Sequence, residues 1–249
     1  MLAEPTRRAD PVRRVYGGFM RARAALVPLM VLILTAGCVV GEPLGSGPEP
    51  APTGAGGSVD PDGTDTPEEF ARDIEAAQQI AEEYWGQRLG AGFSPVRQLI
   101  AYEQEGEVAC AREPLPRNNA VYCSAGDFIA YDVNWAFAAF RQIGDAFLFY
   151  LLGHEYAHGI QARLGIRKQF TIEQELQADC MAGAFIGDKA RDGRLRMQDG
   201  DTRELADGLE AVGDEPGQPW FAEGSHGTAG QRMDAFAGGY ENSLDACGL

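Results

Sequence analysis

The sequence predicts an α+β domain, mainly helical with a small antiparallel sheet, and three observations carry that prediction. Apolar residues recur at helical spacing over about residues 145–164, with a stop signal at Gly165. Two further segments open with capping patterns, at Thr66 and Thr171. Short apolar runs at 95–102, 120–123 and 128–131 have strand character.

With 249 residues the chain has room for one ordinary domain plus appendages. Residues 1–37 read as an export signal: an Arg-rich flank, the apolar run Ala24–Leu34, then Thr35-Ala36-Gly37 before Cys38. The apolar run is short and interrupted by Pro28, too little to span a bilayer. Met20 opens a signal of more ordinary length, so the true start is Met1 or Met20. Leu34-Thr-Ala-Gly-Cys38 resembles a bacterial lipobox, with Thr35 where Leu or Val is usual. That resemblance implies a lipidated Cys38 as the mature N-terminus and an extracytoplasmic chain anchored to the cell membrane. Residues 38–66, rich in Gly, Pro, Ser and Asp, hold too little apolar surface to order themselves and read as a tether.

The folded part is expected over 67–249. Thr66-Pro67-Glu68-Glu69 starts a helix that runs to about Gly86. Strand Pro95–Tyr102 follows, then a strand pair, Ala120–Cys123 and Phe128–Tyr131, joined by a turn at Ser124–Asp127. In the helix at about 145–164, Phe147, Leu151, His154 and His158 fall along one stripe. Thr171-Ile-Glu-Gln174 has capping-box spacing for a helix to about Ala190. A polar helix spans Asp201 to about Val212, and a last one runs from Gly227-Thr228 to about Ser243.

Charge narrows the function classes. Residues 1–37 hold six Arg against two acids, so the remainder carries −20 where the whole chain carries −16. Such a surface repels a phosphate backbone, which argues against a nucleic-acid partner. Cys110, Cys123, Cys180 and Cys247 suggest two disulfides in an exported domain, with three possible connectivities. In one of them Cys110–Cys123 closes a local loop and Cys180–Cys247 pins the C-terminus to a central helix.

His154-Glu-Tyr-Ala-His158 is His-Glu-x-x-His on a helix. Residues four apart are neighbours there, so both imidazoles can reach one metal ion. Glu155, one step round, can act as general base on a water at that metal. The chain has only three His, and two of them are here. The next helix supplies Glu175 as third ligand and, one turn later, Asp179 as a carboxylate that can orient a ligand imidazole. Glu173 competes with Glu175 for the ligand role but has no carboxylate one turn on. Two imidazoles and a carboxylate favour one Zn2+ ion. His226 either donates to the oxyanion on a scissile carbonyl or anchors the last helix, and Tyr156 faces away from the ligand stripe.

These residues resemble the gluzincins, His-Glu-x-x-His peptidases with a Glu ligand on a later helix. More closely, the chain is similar to the bacterial putative neutral zinc metallopeptidase family. The shared patches are 119–127, His154–Gln161, Glu173–Gly183 and Ser225–Arg232; Gly159 departs from the further His often found there. The resemblance implies a zincin-like fold, a peptide or protein substrate, and an extended substrate along the edge strand Phe128–Tyr131. The competing expectation is a non-catalytic cell-surface lipoprotein that uses a peptidase-like fold to bind partners.

Overall fold

The computed structural model describes residues 66–249 except 216, 220 and 223. The export segment 1–37, Cys38 and the tether up to residue 65 lie outside the described residues.

Helix α1, Pro67–Leu89, begins where the sequence places it. The Thr66 hydroxyl accepts from the Glu69 amide at 3.3 Å, and Pro67 occupies the first turn. Its buried face, including Phe70, Ile74, Ile80, Tyr84 and Trp85, joins the main core. Five strands follow: β1 (Gln98–Tyr102), β2 (Ala109–Cys110), β3 (Glu113–Pro114), β4 (Ala120–Cys123) and β5 (Phe128–Asp132). β2 and β3 form a small antiparallel pair.

The larger sheet has the order β1-β5-β4, with β5 parallel to β1 and antiparallel to β4. It is therefore mixed, where an antiparallel sheet was expected. β4 and β5 form a tight hairpin, and β1 takes the opposite flank of β5 in the same direction. Phe128–Tyr131 is thus the central strand and not the edge. Its nearly continuous apolar run suits a strand buried on both faces, whereas β4 keeps a free edge.

β5 passes into helix α2, Val133–Gln142, without a loop. Asp132 ends the strand and caps the helix, its carboxylate accepting from the Asn134 and Trp135 amides. Helix α2 has no counterpart among the elements expected from the sequence. Phe137 and Phe140 of α2 pack edge-on against Phe70 of α1.

Helix α3, Ala146–Leu164, is capped by Asp145 and stopped by Gly165 in the left-handed region. It is buried along nearly its whole length among α1, β4 and two later helices, α4 (Thr171–Arg191) and α5 (Asp201–Ala211). The α4 cap lies one residue earlier than Thr171: Glu173 reaches back to accept from the Phe170 amide at 3.3 Å. That contact commits Glu173 to the helix start and leaves Glu175 to face α3.

Helix α6, Ala229–Asn242, lies backbone to backbone against α4. A Cβ added at Gly183 would stand 2.0 Å from the Phe236 carbonyl oxygen, and one at Gly239 would stand 1.9 Å from the Cys180 carbonyl oxygen. Only glycine permits this approach, which brings α6 side chains to the α4 face that meets α3. Disulfides join Cys110 to Cys123 and Cys180 to Cys247. The first ties β2 to the end of β4, and the second ties α4 to the 3-10 turn Ser243–Cys247. Among the described residues no helix is long and apolar enough to cross a membrane.

Candidate metal centre

Helices α3 and α4 bring His154, His158 and Glu175 to one point. His154 Nε2 lies 3.1 Å from His158 Nε2 and 3.2 Å from Glu175 Oε2, and His158 Nε2 lies 3.4 Å from Glu175 Oε1. Donor atoms of a tetrahedral zinc centre with bonds of ~2.0–2.1 Å stand roughly 3.3 Å apart. The three side chains therefore already have the spacing such an ion requires.

The partners of the two rings define what those nitrogens carry. His154 Nδ1 lies 2.8 Å from Asp179 Oδ1, and His158 Nδ1 lies 2.8 Å from Gln161 Oε1. Carboxylate and amide oxygens only accept, so each Nδ1 bears the proton. In the neutral rings both Nε2 lone pairs then point at each other and at a carboxylate. Such a cluster is repulsive unless a proton or a metal cation sits within it. Electrostatics give the same sign. Burial alone would lower the His154 pKa, but Asp179 and Glu175 raise it to about 10. Burial would raise that of Glu175, but the two His hold it far below the usual carboxylate range.

Asp179 is fully buried and shared by three partners. Its Oδ1 accepts from Tyr150 Oη at 2.8 Å and from Arg232 Nη2 at 2.9 Å as well as from His154, and its Oδ2 accepts from Arg232 Nε at 2.9 Å. Arg232, on α6 and also buried, donates further to the Val212 carbonyl and to Tyr150 Oη. The sequence reading anticipated Asp179 but not this countercharge, nor Tyr150, which lies one helical turn before His154.

Glu155 leans to the other side of α3. Its Oε2 accepts from the Tyr122 amide of β4 at 2.6 Å, so this edge amide points away from β5 and towards α3. Gly159 sits at this contact: an added Cβ there would lie 3.3 Å from side-chain atoms of Tyr122, Val96 and Arg163, which would have to shift slightly to admit it. Tyr156 packs as expected, its hydroxyl accepting from the Val96 amide at 3.0 Å.

His154, His158 and Glu175 open into a cleft of about 1220 Å³ that is also lined by β4, Glu155 and His226. Asp214 Oδ2 anchors the loop before α6, accepting from Ser225 Oγ and the His226 and Gly227 amides at 2.8–3.0 Å. The α6 cap belongs to Thr228, not to His226. The half-exposed His226 lines the same cleft, with Nδ1 3.6 Å from Asp214 Oδ1.

Among the described residues, a second acidic trio is Asp145, Asp201 and Glu204. Asp145 and Glu204 both accept from the Ala146 amide at the α3 start, and Asp201 accepts from the Gln198 amide. Asp145 and Glu204 thus meet at the α3 start, whereas Asp201, the first residue of α5, reaches back to the segment before that helix.

The chain matches the family described as "Putative neutral zinc metallopeptidase" over residues 46–247. It is similar to the "Uncharacterized protein YpfJ" of Escherichia coli K12, 24% identical over 202 residues, covering 70% of this chain and 69% of the relative. The YpfJ protein of Escherichia coli O6:H1 matches with the same identity and coverage. No solved structure gives a significant match.

Proposed function

The chain belongs to the putative neutral zinc metallopeptidase family, and from that premise we propose that it is a zinc-dependent peptidase with a zincin-like fold. The observation that carries this reading is the convergence of two imidazole lone pairs and a carboxylate at 3.1–3.4 Å. His154, His158 and Glu175 would hold one Zn2+ ion. Bound there, zinc would lower the pKa of a coordinated water towards ~7 and polarise the scissile carbonyl.

The chain's own residues supply the rest. Glu155 takes the proton of the attacking water and delivers it to the leaving amine. The Tyr122 amide holds the Glu155 carboxylate in place. His226, steadied by Asp214, donates to the oxygen that gains charge as the carbonyl is attacked. Asp179 and Gln161 keep both ligand rings in the required tautomer. β4 replaces Phe128–Tyr131 as the strand against which an extended peptide lies, because its edge borders the cleft.

Cleavage of a peptide library by the purified chain tests the reading. Activity is expected to vanish on chelation and return with stoichiometric zinc; cleavage by metal-free protein would contradict it. For His226→Ala we expect kcat to fall by about 10²-fold with unchanged zinc content. An unchanged kcat would remove the ring from the mechanism.

The proposal extends to location: Cys38 carries the lipid anchor, and the domain acts outside the cytoplasm on a tether. Cys38→Ala is expected to shift the full chain from the membrane to the soluble fraction of cells. Retention with the membrane would contradict anchoring at this residue.

A further inference from the structure

His154 is oriented by a buried charge, whereas His158 is oriented by a chain of neutral amides that leads away from the site. Gln161 Nε2 donates to the Gln174 carbonyl at 2.8 Å and to Gln177 Oε1 at 3.1 Å. Gln177 Nε2 donates to the carbonyl of Cys247 at 2.9 Å. A backbone carbonyl can only accept, so the Gln174 and Cys247 carbonyls settle which end of each amide is nitrogen. The polarity then runs one way. Cys247 receives from Gln177, Gln177 receives from Gln161, and Gln161 receives the Nδ1 proton of His158. Both glutamine side chains are buried, so water cannot easily substitute for a lost link. The far end is held covalently, because Cys247 is joined to Cys180 of α4.

We infer that Gln161 and Gln177 are positioning residues that fix His158 with its Nε2 lone pair turned to the metal, and that the Cys180–Cys247 disulfide anchors this relay. The inference rests on the zinc-peptidase reading. It gives the C-terminal disulfide a role beyond chain stability: loss of the covalent hold on Cys247 loosens a ligand two side chains away.

The test is zinc affinity of the full chain, measured by competition with a chromogenic chelator alongside thermal melting. Gln177→Leu and the pair Cys180→Ala/Cys247→Ala are each expected to weaken zinc binding roughly 10-fold. Gln177→Glu, which keeps size but cannot donate to Cys247, should do the same. Removing the other bridge with Cys110→Ala/Cys123→Ala should leave zinc affinity unchanged. Because the links are in series, adding Gln177→Leu to the Cys180→Ala/Cys247→Ala pair should cost little more than either change alone.

Lower melting temperatures with unchanged zinc affinity would assign these residues a structural role only and overturn the relay. Fully additive losses would overturn the series arrangement. Failure of the unmodified chain to bind zinc would instead sink the peptidase reading, and the relay with it.

Discussion

Glu155→Gln should leave zinc content intact and lower kcat by about 10³-fold, within the ~10²–10⁴ range for a positioned general base. The substitution is close to isosteric. The amide oxygen can still accept from Tyr122 N, so the 2.6 Å link between α3 and β4 has a replacement. Neither ligand ring uses Glu155 as its orienting partner; those roles fall to Asp179 and Gln161. What the variant loses is the ability to take a proton. Metal analysis and single-turnover cleavage on the same preparation separate the two effects. Loss of zinc would place Glu155 in the ligand set, and cleavage at the wild-type rate would remove the base from the mechanism.

Asp179→Asn should be the most damaging single substitution among the residues that orient the two imidazoles, lowering both stability and metal affinity. The carboxylate neutralises Arg232 inside the protein, and both side chains are buried. An Asn oxygen can take the position that accepts from Tyr150, His154 and Arg232 Nη2. Its NH2 group must then face Arg232 Nε, donor against donor. A buried charge stripped of its partner costs about 3–5 kcal/mol, or roughly 10 °C in melting temperature for a domain of this size. Weaker hold on His154 should lower zinc affinity by a further ~10–100-fold. Thermal melting with and without zinc checks both. A variant that melts within a degree or two of wild type would show that the Arg232 pair contributes little.

The parts of this site that were legible in the sequence are those set by spacing within one helix. His154, Glu155 and His158 follow from four-residue periodicity, and Glu175 with Asp179 repeats that logic on α4. The partners that complete the site come from elsewhere in the chain: Arg232 lies 53 residues beyond Asp179, and the Gln177–Cys247 link spans 70. Only packing brings them together, and the glycine-lined crossing of α4 and α6 is what places Arg232. Asp214 was hidden for the same reason, since it acts on a loop that closes back on itself.

The differences between the expected and observed folds have local causes. Helix α2 was missed because Asp132 serves both as the end of β5 and as the helix cap, leaving no loop between them. The edge strand was misplaced although Phe-Ile-Ala-Tyr-Asp carries the signature of a two-sided buried strand. The single-residue shift at the α4 start reflects Glu173 reaching back to the Phe170 amide, as Gln174 was expected to reach back to Thr171.

Zinc K-edge absorption fine structure on the metal-loaded chain examines the ligand set itself. The expected first shell contains only nitrogen and oxygen at ~2.0–2.1 Å, with outer-shell scattering from two imidazoles. A sulfur at ~2.3 Å, or a shell with fewer than two imidazoles, would contradict ligation by His154, His158 and Glu175.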